Sequence, residues 1–161
     1  MRPTQADVKP EVRDLLPSAD FADAFSLVVD EPSLDAIAAA KRAMARPPGW
    51  ISALMSLRDL LVRPFGLRTR HDRSLVRTHR IGAFPVLSQT PERVVMGLDD
   101  RHLDFRLVVD VAPLDERRRD VVATTLVRTH NRLGRIYLAA ILPFHRRIVP
   151  GIMANVARRA R

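Results

Sequence analysis

Five histidines, His71, His79, His102, His130 and His145, are the side chains of this sequence able to exchange protons near neutral pH. No two are three or four residues apart, the spacing that would set two metal ligands on one helical face, and the chain has no cysteine. A metal centre, a disulfide framework and a thiol nucleophile are therefore not expected. A Gly-x-Gly-x-x-Gly string, a phosphate-cradling loop and a serine-nucleophile motif are also missing, and there are only six glycines. No cofactor is expected, and dinucleotide chemistry would need a separate partner.

Three arrangements remain. His145 falls on an apolar stripe, with Leu138, Ile141, Leu142, Val149, Ile152 and Val156, of a helix predicted over residues 131–159. Its plainer role there is a core histidine satisfied by a backbone carbonyl or by a side chain of the layer that the helix covers. Its functional role is the polar anchor of a bound ligand, because a buried imidazole needs a partner and a ligand can supply one. Tyr137, two turns earlier and slightly off the stripe, can present its hydroxyl to the same space. His102, Asp104 and Arg106 share one face of a predicted strand at two-residue spacing, as a carboxylate-oriented base beside an arginine clamp would. Their place opposite Phe105, on the polar face, favours solvent as neighbour and cross-strand ion pairing as role. His130 and Asn131 mark a change from strand to helix. Asn131 or Thr129 is suited to cap the free amides, and the same helix start can take an anionic head group, which makes His130 and Asn131 candidate polar anchors.

The elements that position these groups follow from the hydrophobic pattern. Residues 1–18, with Pro3, Pro10 and Pro17, read as an extended or loosely packed lead-in to one domain over residues 19–161. Residues 21–29 read as a strand, stopped by Glu31-Pro32-Ser33, and Ser33 is the expected N-cap of a helix to about residue 46. A second helix carries Trp50, Leu54, Leu57 and Leu61 on one stripe until Pro64 and Gly66. From Phe84 the period becomes two. Strands over 94–98 and 102–111 flank the turn Asp99-Asp100-Arg101, and similar turns at 89–92 and 115–120 precede 94 and a last strand over 121–129. Such short connections make an antiparallel meander. In the strand over 102–111, Leu103, Phe105, Leu107, Val109 and Val111 form the buried face and the alternate residues a largely wet one; the faces of the last strand stay unassigned, since Val121, Val122, Leu126 and Val127 are all apolar. The long final helix, in which Pro143 and Pro150 each delete a donor and favour a bend, is suited to cover the sheet's apolar face.

Composition and charge bound the partners. At 161 residues and 47% apolar, the chain can bury roughly 70% of its unfolded surface and needs no metal or disulfide to fold. No uncharged run reaches the roughly 18 residues of a membrane span, and the amino terminus lacks a signal-like apolar stretch, so a cytoplasmic protein without a transmembrane segment is expected. The net charge is +9, yet residues 1–120 hold 19 basic and 18 acidic groups, while residues 121–161 hold eight arginines and no acid. Cations near a helix C-terminus complement its dipole; a basic face for phosphate is the alternative. The arginines of residues 63–80 read as a solvated loop.

Four strings carry a resemblance: Ala19-Asp20-Phe21-Ala22-Asp23-Ala24-Phe25; Leu57-Arg58-Asp59 with Pro64-Phe65-Gly66-Leu67; Asp99-Asp100-Arg101-His102-Leu103-Asp104-Phe105-Arg106; and Thr129-His130-Asn131 through Gly134-Arg135 to Pro143-Phe144-His145. From about residue 16 onward the chain resembles family 2867 of the domains of unknown function, an uncharacterised bacterial family. The order of elements resembles the START-like, or helix-grip, fold of lipid-transfer domains and aromatic polyketide cyclases. The resemblance implies an α+β antiparallel sheet with two short helices and a long C-terminal helix, in a domain that occurs alone or fused behind a nucleotide-binding domain of the short-chain dehydrogenase or epimerase type. It carries over no catalytic residues.

The expected activity is binding of a small hydrophobic ligand, such as a lipid, polyketide or aromatic metabolite, in a pocket between sheet and final helix. Trp50, Leu54, Phe105, Leu107, Tyr137, Ile141 and His145 are its expected lining, and a homodimer is compatible with it. One alternative is a cyclase or isomerase-type enzyme, or accessory subunit of a short-chain dehydrogenase, with His145, His130 or Tyr137 as acid-base group. Another is a basic module for nucleic acid or anionic membrane, although no specific nucleic-acid partner is expected.

Overall fold

Among the described residues, seven strands form: β1 (Thr4–Ala6), β2 (Phe21–Val29), β3 (Arg80–Ile81), β4 (Phe84–Gln89), β5 (Arg93–Asp99), β6 (Leu103–Pro113) and β7 (Arg119–Thr129). They make one open sheet in the order β1-β2-β7-β6-β5-β4-β3, antiparallel throughout. Three helices among the described residues accompany it, α1 (Pro10–Arg13), α2 (Ala36–Met44) and α3 (Arg132–Met153), so the fold is α+β with a long C-terminal helix. The computed structural model describes residues 2–45, 79–82 and 84–157. The expected helix bearing Trp50 and Leu54 and most of the basic stretch over 63–80 lie outside these residues.

The expected meander runs from β4 to β7; β3, which begins at Arg80 in the stretch expected to be a solvated loop, adds a short edge strand to it, and β2 pairs along its whole length with β7, Phe21 opposite Val127 and Val29 opposite Arg119. Unbroken register makes the faces of β7 readable. Val121 and Ala123 join the inner core with Phe25, Leu27, Val94, Met96, Leu107 and Val109, whereas Leu126 joins Val95 and Val108 on the outer side. α2 closes one end of the inner face through Ala36, Ala39, Ala40 and Ala43, small side chains at helical spacing that allow close approach. Its N-cap is Asp35, whose carboxylate accepts the Ala38 amide at 2.6 Å. Ser33 does not cap; the turn closed by the Leu34 amide on the Glu31 carbonyl carries Leu34 into the core, and the helix starts two residues later than expected.

Two further expectations are corrected. Residues 1–18 are not a loose lead-in: β1 pairs with β2, and Val12 and Leu16 are buried against Val95, Val108 and Leu126. In consequence the outer face of β6 is not wet, and Asp104, Val108 and Asp110 are all buried. α3 passes Pro143 and Pro150 and ends at Met153 rather than near residue 159. Beyond it, the amides of Ala154, Asn155 and Val156 bond to Pro150, Ile152 and Met153, a turn that buries Val156.

Candidate functional site

Pairing across the four central strands sets the inner face out in rows. One row reads Leu98, Phe105, Val127, Phe21; the next Met96, Leu107, Thr125, Asp23; the next Val94, Val109, Ala123, Phe25; the next Val111, Val121, Leu27. Only Asp23 and Thr125 are polar, and they are directly opposite one another, a placement that sets Cβ atoms about 5 Å apart. α3 lies over this part of the sheet, and the His145 Nε2 reaches the Asp23 Oδ1 at 3.0 Å. Both side chains are largely enclosed, 14% and 10% exposed. Phe21 sets its ring at 90° to the imidazole, 5.4 Å between centroids.

An ionised carboxylate only accepts, so Nε2 of His145 donates to Asp23, and Nδ1 is left as an acceptor in the neutral ring or a donor in the imidazolium. Thr125 is 3% exposed, and its Oγ1 is buried with no hydrogen-bond partner. A buried hydroxyl in that state carries a desolvation cost of about 1 to 3 kcal/mol that a ligand's polar atom would relieve. The apolar surroundings are Phe105, its ring 5.3 Å from that of Phe84 and tilted 43° to it, with Leu107, Val127 and Phe21. Above them α3 is only partly covered: Leu138, Ile141, Leu142 and His145 are half-buried, and burial becomes complete at Val149 and Met153.

The expected lining residues divide accordingly. Phe105 and Leu107 stand in the two rows that contain Phe21 and Asp23, two strands or about 10 Å away. Ile141 is one helical turn from His145, and Tyr137, half-buried, is two turns from it. Asp23, Thr125 and Phe21 were not among the expected site residues. A carboxylate between Phe21 and Phe25 on the apolar face of a strand is a signal in the sequence; Thr125 has none until its register with Asp23 is known.

The expected polar anchors form a different cluster. His130 Nε2 bonds the Asp104 Oδ1 at 2.9 Å, and Arg128 donates to the other oxygen at 2.6 Å from Nη2 and 3.2 Å from Nε. Asp104 is 4% exposed. Burial raises its carboxyl, but the hydrogen bonds from His130 and Arg128 outweigh this and hold it below the usual carboxylate range. The ion pair with Arg128 is the cross-strand pair that register requires, although solvent is not the neighbour. Asn131 caps α3 by accepting the Gly134 amide at 3.0 Å, and its own amide donates to the His102 Nδ1 at 2.8 Å. Arg106 turns instead to Asp99 at 2.7 Å. His102, Asp104 and Arg106 thus serve three different partners and make no joint site. Asp20 accepts the amide and hydroxyl of Thr129, bonds that lower its pKa. Along α3, Asn131 is 14 residues from His145, about 20 Å, so His130 and Asn131 are not brought to the inner site.

No group of three or more histidine, aspartate or glutamate side chains placed to hold a metal occurs among the described residues, and no helix there is long and apolar enough to cross a membrane. An open groove of about 790 Å³, lined by Asp30, Pro32 and residues 115–118, lies by the turn between β6 and β7, at the far end of the sheet. It is charged and does not meet the inner face.

An open antiparallel sheet, capped on one face by an alanine-lined helix and a long terminal helix, with an aspartate–histidine pair between sheet and terminal helix, defines an α+β protein of single-sheet architecture. Residues 15–152 match the family described as protein of unknown function (DUF2867), and the chain belongs to that family. No curated protein and no solved structure matches it.

Proposed function

We propose that the chain binds a small, mostly apolar molecule bearing at least one polar atom, held between the inner face of the sheet and the middle of α3. The observation that carries this reading is the pair of adjacent polar positions, Asp23 and Thr125, in otherwise apolar rows, one engaged by His145 and the other buried without a partner. Phe21, Phe105, Leu107 and Ile141 supply apolar contact, Thr125 and the second ring nitrogen of His145 the polar contact, and Tyr137 extends the lining. A lipid, polyketide or aromatic metabolite fits this division, as does the helix-grip architecture of cytoplasmic carriers that the element order resembles.

Native mass spectrometry of freshly purified protein should show a carried-over mass, and an environment-sensitive apolar dye should bind. His145→Ala removes a charge-assisted contact and should weaken uptake about tenfold or more while the protein stays folded. A folded His145→Ala protein with unchanged uptake, or wild-type protein that takes up neither ligand nor dye, overturns the reading.

One observation favours a second reading. An imidazole whose Nε2 is held by a carboxylate is oriented as a general base through Nδ1, so the same pocket suits proton transfer on a bound carbonyl compound, with Thr125 donating to the developing oxyanion. Solvent-deuterium incorporation into an apolar ketone, lost in His145→Ala, separates catalysis from carriage.

A further inference from the structure

The outward side of α3, away from His145, is also unusual. Leu133, Ile136, Ala140 and Phe144 recur at i, i+3, i+7 and i+11, the spacing of one helical face. All are exposed, Ile136 at 66%, Phe144 at 46% and Leu133 at 37%. Scattered exposed apolar residues are ordinary, but three large ones aligned on a helix mark a contact surface. Arg147 shares this face and Arg132 flanks it; both are exposed and make no ion pair among the described residues. No acidic residue occurs anywhere in α3, or after residue 120.

We infer that this face docks on an anionic lipid surface. Unneutralised arginines call for a partner rich in negative charge, and exposed isoleucine, leucine and phenylalanine call for an apolar phase beside that charge. Nucleic acid supplies the first without the second. The headgroup and acyl boundary of an anionic bilayer supplies both, and a helix lying in the plane with its apolar side down is the geometry that uses them together. The other side of α3 is already occupied by the sheet, so docking needs no unfolding and buries only what is exposed.

The test is co-sedimentation of the full chain with phosphatidylcholine vesicles prepared with and without phosphatidylglycerol, at low and at physiological salt. The wild type should pellet with the anionic vesicles and not with the neutral ones, and less at higher salt. Each arginine near such a surface is worth about fivefold in binding, so Arg132→Gln with Arg147→Gln should weaken it about 25-fold. Ile136→Glu with Phe144→Glu should abolish it, and all four positions are exposed, which keeps the variants folded. His145→Ala should sediment like the wild type, so this inference stands or falls separately from the inner site. Absence of sedimentation with anionic vesicles, equal sedimentation with neutral ones, or duplex DNA binding insensitive to Ile136→Glu in place of vesicle binding each overturns it. So does a dimer that Ile136→Glu dissociates without any vesicle binding, which would make the face a contact between two copies.

Discussion

Replacing Thr125 by valine separates the demands of stability from those of binding at one atom. The side chain is 3% exposed and its hydroxyl is buried without a partner. A valine methyl occupies nearly the same volume, so the change removes a desolvated polar group and leaves packing in place. Relief of such a group returns about 1 to 3 kcal/mol. Taking the lower end of that range gives the minimum effect. About 1 kcal/mol should raise the melting temperature of a domain this size by roughly 2 to 4 °C. If the proposed ligand binds beside it, ligand or dye uptake should fall in the same variant, because the donor proposed to meet it is gone. Thr125→Ser, which keeps the hydroxyl, should lose some stability through the missing methyl and keep uptake. Thermal unfolding followed by circular dichroism, with a dye titration of each variant, measures both. A valine variant less stable than the wild type would mean that the hydroxyl is already satisfied. A stabilised variant with undiminished uptake would mean that the ligand does not use it.

Two further perturbations test the frame around the site. Asp104→Asn removes a carboxylate that receives His130 and Arg128. Two charge-assisted bonds lost would cost about 3 to 6 kcal/mol, but both partners are more than a third exposed and regain water, so a net loss of about 2 kcal/mol is expected. Because the folded carboxyl is depressed, its contribution is fully present above the ordinary aspartate value near pH 4 and disappears as pH falls through the lowered folded value. Urea unfolding at a series of pH values should therefore show the gap between wild type and Asp104→Asn at pH 7 and its closure in acid; a gap that persists or widens in acid contradicts the assignment. Gly134→Ala would set a Cβ 2.1 Å from the His102 carbonyl oxygen, so the start of α3 must move, at a cost of about 3 kcal/mol, whereas Gly151→Ala meets nothing within 4 Å and should gain about 0.5 kcal/mol or more from helix propensity. Similar melting temperatures for the two variants would refute the close packing of α3 on the turn before β6.

Strand positions were legible wherever one face of the sheet dominated the pattern. Residues 21–29 and the turns at 89–92 and 99–101 are where alternation and turn chemistry place them. The pattern failed where a second layer intervened. Nothing in the alternation of β6 announces that α1 covers its polar face, because Val12 and Leu16 sit among prolines and charges that read as a loose segment. The inner site was half legible. His145 stands out as a polar residue on an apolar stripe, and Phe105 and Leu107 follow from period two. Its sheet partners were hidden for different reasons: Asp23 was absorbed into a strand otherwise uniform in character, and Thr125 lies in a run of apolar residues on both faces, which only pairing with β2 and β6 resolves.

The sheet carries two aspartate–histidine pairs of almost equal length, and their surroundings give them different work. Asp104 takes a guanidinium on its second oxygen, and its histidine is more than a third exposed to water. That cluster joins the ends of β6 and β7 to the start of α3, beside the Asn131 cap, and a structural tie accounts for every contact in it. Asp23 stands among Phe21, Phe25 and Val127 with an imidazole that is itself enclosed. As a means of fastening a helix to a sheet, such an enclosed pair is a poor choice, since well-packed apolar side chains in its place are as stabilising or more so. The neighbouring Thr125 hydroxyl makes the same point with the opposite defect, a buried donor that fastens nothing. Two adjacent departures from what stability favours, beneath a half-buried stretch of α3, are what the proposed ligand's polar atom would account for together, where packing or charge balance alone accounts for neither.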